Sequence, residues 1–187
     1  MTSRALALAA TLSALLAGAL TLLPWVSLEA RGLPMRWAGL GLYYGDDVGV
    51  VPSIQPLGWA VVVVTLEALL VLGFELFAPG PAGVLRRWLF LGLAGLAVAV
   101  AVLVVVVVAV PGLLYGNALE DLGEFAGAGA VDGGRDVLVL PTLIGVLCWL
   151  VVTAVIAGLG FVRASGPEAG RAASHMNPCA PGDGGEP

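Results

Sequence analysis

Residues 88–110 read WLFLGLAGLAVAVAVLVVVVVAV and carry no charged side chain. In water the valine-rich half of this run would suit a β-strand, because branched side chains favour a pleated surface. In lipid the backbone N–H and C=O groups have to bond within the segment, so an isolated apolar stretch of this length is a helix. At ~1.5 Å per residue it reaches across a hydrocarbon core of about 30 Å. The surrounding medium therefore decides the fold, and composition identifies the medium. Of 187 residues, 59% are hydrophobic and 11% are charged, against roughly 25% charged in an ordinary soluble domain. So few polar side chains cannot coat a soluble particle, and the chain reads as an integral membrane protein. The formal charge of −5, from 13 acids against 8 bases, has the wrong sign for a nucleic-acid partner.

Three more runs follow by the same reasoning. The first covers about residues 5–23 and ends at Pro24-Trp25. A cleaved signal peptide is its competing reading, with Arg4 as the basic flank and Ala17-Gly18-Ala19 as the cleavage site. The run is longer than the usual apolar core of about 7–15 residues, which favours a retained helix. The second run, about 56–78, carries Glu67 and Glu75. Its thirteen Leu, Val and Phe residues between 57 and 77 contribute about −4 to −8 kcal/mol to insertion, against roughly +2.5 to +3.5 for one central acid. Insertion wins. The fourth run, about 138–161, is uncharged, with Pro141 near its first turn, where a missing N–H does least harm. The expected architecture is an all-α, four-helix transmembrane bundle over 1–162 with two long outer loops. Residues 163–187, poor in apolar side chains, read as a disordered cytoplasmic tail.

Arginine sets the expected sidedness. Arg4, Arg86, Arg87, Arg163 and Arg171 fall at the two termini and the short second connection, whereas Arg31, Arg36 and Arg135 fall in the long loops. The excess favours an inner (plasma) membrane protein with both termini cytoplasmic, and Arg86, Arg87 and Arg163 as inner-face anchors.

The first outer loop, about residues 24–55, mixes aromatics with Gly and Pro, and 39–51 suits a β-hairpin turning near Gly45-Asp46-Asp47. Its aromatics read as side chains resting at the membrane interface. The competing reading is a binding cap, with Trp37, Tyr43, Tyr44, Asp46 and Asp47 as partner contacts. The second loop, about 111–136, is acidic, with a short helix suggested over 118–126. It lacks the spacing of a calcium loop.

Glu67 is the most costly residue, at the midpoint of its span, where carboxyl groups are rare and mark pathways or partner contacts. In hydrocarbon it needs hydrogen-bond partners. By depth these are Ser13 and Thr11 on the first helix and Thr153 on the fourth, which predicts an intramembrane polar cluster. Glu75 lies nearer the inner boundary, where snorkelling or a surface ion pair with Arg86 or Arg87 accounts for it. Small-residue ridges at Ala10-Ala14-Gly18, Gly95-Ala99 and Ala154-Gly158 would admit close helix approach.

Catalytic, phosphate-binding and metal motifs are absent from the sequence. His175 and Cys179 in the tail do not make a zinc site, and Cys148 and Cys179 are placed too differently to form a disulfide. No cofactor is expected, and the chain does not read as an enzyme. With its Pro24-Trp25 element and long Gly-rich outer loop, the outline over 1–162 resembles the tryptophan-associated membrane protein family, small four-span proteins of high-GC bacteria. Claudin-like proteins share the large first loop, and Gly41-Leu42-Tyr43 is similar to their GLW element, but the cysteine pair that should follow is missing here. These likenesses imply four spans and no chemistry. The functional expectation is an accessory or scaffold subunit, held in the lipid bilayer and contacting another membrane protein or further copies of itself through outer loops and helix faces. The alternative is a small proton-coupled transporter using Glu67.

Overall fold

The computed structural model describes residues 2–29, 34–45, 57–77, 83–111 and 137–165. Four helices, each long and apolar enough to cross a membrane, account for most of them. They are α1 (Ser3–Leu20), α2 (Gly58–Phe77), α3 (Gly83–Ala109) and α4 (Leu140–Ala164). The helices form a ring in chain order, α1 against α2, α2 against α3, α3 against α4 and α4 back against α1. Each buries a stripe at spacings of three and four, the signature of one helical face turned inward. On α2 that stripe is Gly58, Val61, Val64, Ala68, Val71 and Glu75. The opposite faces are studded with exposed Leu and Val, as expected of surfaces solvated by lipid.

The helix ends differ from expectation for identifiable reasons. Helix α3 starts at Gly83, so its first turns include Arg86 and Arg87. Helix α4 runs through Arg163, which stands in its last turn. Charged residues at a membrane boundary do not stop a helix, because their long side chains reach water. Helix α1 begins under a Thr2 cap whose side chain accepts from Ala5 N. It ends at Leu20, because the next residues enter a sheet.

That sheet makes the protein mostly helical rather than all-α. Strands β1 (Pro24–Ser27), β2 (Met35–Ala38) and β3 (Tyr43–Gly45) pair antiparallel in chain order. Pairing of Arg36 with Tyr44 and Trp37 with Tyr43 sets the register of the second pair. The turn of this pair falls at Gly39–Leu42: Gly41 N donates to Ala38 O, Ala38 N donates to Leu42 O, and Gly41 sits at φ 80°. A left-handed residue closing a short hairpin is a glycine position. Gly45 is the last residue of β3, and Asp46 and Asp47 lie outside the described residues. The suggested helix at 118–126 and the tail beyond 165 also lie outside them.

Candidate functional site

The sheet is fastened to one end of the bundle by backbone. Leu40 N donates to Thr21 O at the end of α1, Gly58 N at the start of α2 donates to Gly39 O, and Val139 N before α4 donates to Trp25 O. An antiparallel bridge between Val26 and Leu138 adds the segment before α4 to the free edge of β1. Trp25 and Trp37 are buried, at 2% and 1% exposure, with Val26, Leu28, Met35, Val137 and Leu138 around them. Withdrawing a tryptophan of roughly 150–250 Å² from water contributes on the order of 4–6 kcal/mol. These two side chains are therefore the core of a cap, not rings resting at an interface. Trp25 Nε1 donates to Leu20 O, so the one polar atom of that ring is satisfied. A Cβ at Gly39 would lie 2.4 Å from the Trp25 ring, and one at Gly58 would lie 2.6 Å from Gly39. Ring, turn and helix start are thus in direct contact.

Of the expected partner contacts in the first loop, Trp37 is spent on this core and stacks at 5.5 Å, tilted, on Tyr43 across the strand pair. Tyr43 is half-buried, whereas Tyr44 is exposed beside Leu42. An Arg36–Glu29 ion pair lies on the exposed face of the first strand pair.

At the other end of the bundle stand Arg4, Arg86, Arg87 and Arg163, at the start of α1, the start of α3 and the end of α4. Glu75, near the end of α2, lies against Arg4 and Arg86, and its side chain is 1% exposed. Ser3 Oγ donates to Glu75 Oε2 at 2.8 Å, and Arg4 Nε donates to the Glu75 carbonyl. Arg86 Nε lies 2.5 Å from Oε1, an ion pair whose N–H is not aligned on the oxygen. The expected ion pair with Arg86 is present, but it is not a surface pair and Glu75 does not snorkel, because its side chain is buried. It falls on the inward stripe of α2 and joins the ends of three helices. Arg87 instead lies over the Phe161 ring of α4, 4.8 Å from its centre. Arg163 is exposed.

The expected mid-membrane cluster divides. Ser13 and Thr153, both buried, are 2.8 Å apart, and each also reaches a carbonyl of its own helix. Thr11 Oγ1 shares its proton between Ala7 O and Ala68 O of α2. Thr65 returns the contact, placed 3.0 Å from both Val61 O and Ala14 O. A Cβ at Gly18 would come 2.9 Å from that hydroxyl, so the Ala10-Ala14-Gly18 ridge is a packing surface against α2. The ridges on α3 and α4 are not used in this way: Gly95 and Gly158 have nothing within 4 Å of a built Cβ.

Glu67 joins none of these hydroxyls. It is half-buried and makes no hydrogen bond or ion pair with any described residue. Helical rotation of about 100° per residue explains the separation. Thr65, on one flank of the α2 stripe, faces α1, while Glu67, on the other flank, faces α3. There its Oε1 is 3.7 Å from where a Cβ at Gly92 would stand. The carboxyl occupies the crease between α2 and α3, open from the side. Trp149 is a second polar group the sequence reading passed over: the residue is 37% exposed, midway along α4. Its signal was available, since tryptophans in membrane proteins concentrate at the interfaces and a mid-span one is anomalous.

Among the described residues no three His, Cys, Asp or Glu side chains gather as a metal site would require. No known protein family, curated protein or solved structure matches the chain.

Proposed function

We propose that this is a non-catalytic multi-pass membrane protein, an accessory or scaffold subunit that presents its capped end and helix flanks to other membrane proteins. One observation carries the reading: the only mid-span acid opens sideways between two helices, while the interior hydroxyls are closed on carbonyls and on each other. A carrier pathway needs several polar positions lining a route through the protein. A contact surface needs one costly group that a neighbour can satisfy. The sheet suits the same role, since a cap bonded to the starts of α2 and α4 and the end of α1 holds Leu42 and Tyr44 on a rigid platform.

The arginine-rich end supports a cytoplasmic placement of both termini in a bacterial inner membrane, with the cap outside. A membrane-impermeant maleimide applied to intact cells should then label a Tyr44→Cys variant. For the subunit role, the full chain is purified in mild detergent. A second polypeptide should co-purify in fixed ratio and be lost on Tyr44→Ala with Leu42→Ser, while the thermal unfolding of the variant is unchanged. The proton-coupled carrier replaces this reading if proteoliposomes show pH-driven flux that Glu67→Gln abolishes.

A further inference from the structure

Glu67 and Trp149 are complementary groups left over at the same depth. Glu67 stands nine residues in from Gly58 and Trp149 nine in from Leu140. Both helix starts are pinned to the cap, Gly58 N to Gly39 O and Val139 N to Trp25 O, and Gly39 packs on the Trp25 ring. At 1.5 Å per residue each group is therefore about 13 Å from the sheet, in mid-bilayer. Glu67 offers acceptor oxygens. The Trp149 indole N–H is a donor with no partner among the described residues. The remaining exposed tryptophans, Trp59 and Trp88, lie near the ends of α2 and α3, where tryptophan normally anchors.

The two groups also lie on opposite sides of the ring. Glu67 faces the α2/α3 crease beside Gly92. Trp149 sits in a row, at intervals of four, between Gly145, whose built Cβ meets Leu20 of α1, and Thr153, bonded to Ser13 of α1. It therefore marks the α1/α4 edge, diagonally across from the α2/α3 edge. One molecule cannot join its own two groups, and copies inserted with the same sidedness keep them level. We infer that a second copy of this chain seats its α1/α4 edge in the α2/α3 crease of the first, with Trp149 Nε1–H donating to the Glu67 carboxyl. Gly92, which places no side chain beside the Glu67 oxygen, leaves room for the indole. Because the two edges differ, the contact is head-to-tail and propagates to further copies. The other mid-span hydroxyls already give their protons to carbonyls or to each other, so among the described residues Trp149 is the strong mid-span donor left to offer. The inference rests on reading Glu67 as a contact group rather than a pathway group.

The test is native mass spectrometry of the full chain released from lipid nanodiscs. The unsubstituted protein should form dimers and larger species. Trp149→Phe, which keeps the ring and removes the donor, and Glu67→Leu should each weaken association roughly three- to twentyfold, the range of a single interhelical hydrogen bond. Glu67→Gln, which keeps an acceptor, should not. Mixing the Trp149→Phe chain with the Glu67→Leu chain should restore dimers, because the intact Glu67 of one meets the intact Trp149 of the other, but not longer species. A monomeric unsubstituted protein, a Trp149→Phe variant that associates normally, or failure of the mixture to complement would each overturn the pairing. Flux abolished by Glu67→Gln would instead overturn the contact reading beneath it, which separates the two failures.

Discussion

Glu67 and Glu75 occupy one helix, eight residues and about 80° of rotation apart, and the fold places them in opposite settings. Glu75, nearer the membrane boundary, is sealed among Ser3, Arg4 and Arg86 and ties three helix ends together. Glu67, at mid-depth, stands at the edge of the bundle with no bond to any described residue. Depth alone ranks them the other way round, as does the expected insertion cost. Rotation about the helix axis decides: Glu75 continues the stripe of Val64, Ala68 and Val71, and Glu67 does not. An acid on the stripe becomes structural, and one off it is available to a neighbour.

The largest effect expected from this contrast is at Arg86. Arg86→Ala takes the ion-pair partner from the Glu75 side chain, 1% exposed, which keeps the Ser3 bond while Arg4 stays on the Glu75 carbonyl, and breaking a buried pair from that side costs roughly 3–5 kcal/mol. Glu75→Ala leaves instead an arginine that is 31% exposed and able to reach water, so about 1–3 kcal/mol is expected. The double variant should resemble Glu75→Ala alone, because no stranded carboxylate remains. Unfolding in sodium dodecyl sulfate followed by circular dichroism measures all three. Equal losses for the two single variants would mean that Glu75 is not the sealed partner.

The next effect concerns what keeps α3, and so Arg86, in position. A Cβ at Gly160 of α4 would lie 2.5 Å from the fully buried Phe90 ring of α3. Since Phe90 is enclosed, Gly160→Ala should cost about 1–3 kcal/mol by overpacking. Two residues earlier, Gly158→Ala meets open space and should be neutral or stabilise by up to about 1 kcal/mol, the helix propensity gain. The same unfolding titration reads both, and a neutral Gly160→Ala would show that the contact can open.

How much of this was legible in the sequence depends on whether the deciding term was local. The four spans were, because uninterrupted hydrocarbon and the cost of exposed backbone in lipid act segment by segment. Their ends were less so, since Arg86, Arg87 and Arg163 extend helices past the apolar runs. The cap was largely hidden. Its strands are three or four residues long, too short for alternation to show, and β1 completes its pairing with Leu138, more than a hundred residues away. Turn chemistry alone does not place the Gly39–Leu42 turn; the burial of Trp25 against Gly39 fixes it. For the candidate site, depth brought Ser13 to Thr153 correctly, but the azimuth that removes Glu67 from them comes from packing.

A smaller effect separates interior from edge at equal depth. Ser13→Ala and Thr153→Ala each remove one side of a buried contact between α1 and α4. Hydrogen bonds of this kind between membrane helices average about 0.6 kcal/mol and reach about 1.7, so each single loss should lie in that range. In a double-variant cycle the pair should show coupling of similar size, because both hydroxyls serve one contact. Additive losses would mean that each hydroxyl acts only on its own helix.

The smallest effect is predicted for the residue that looked most expensive. In a detergent that keeps the chain monomeric, Glu67→Leu should change unfolding by less than about 0.5 kcal/mol, the scale of a surface substitution away from special features. The carboxyl has no bond to a described residue to lose, and leucine extends the exposed surface of Leu66 and Leu70. The same substitution at Glu75 should resemble Glu75→Ala, since Ser3 and Arg86 lose their acceptor. Destabilisation at Glu67 matching that at Glu75 would return it to the interior and restore the case for a proton pathway. A flat response at Glu67 beside a steep one at Glu75 leaves its cost to be met by whatever lies against the α2/α3 crease.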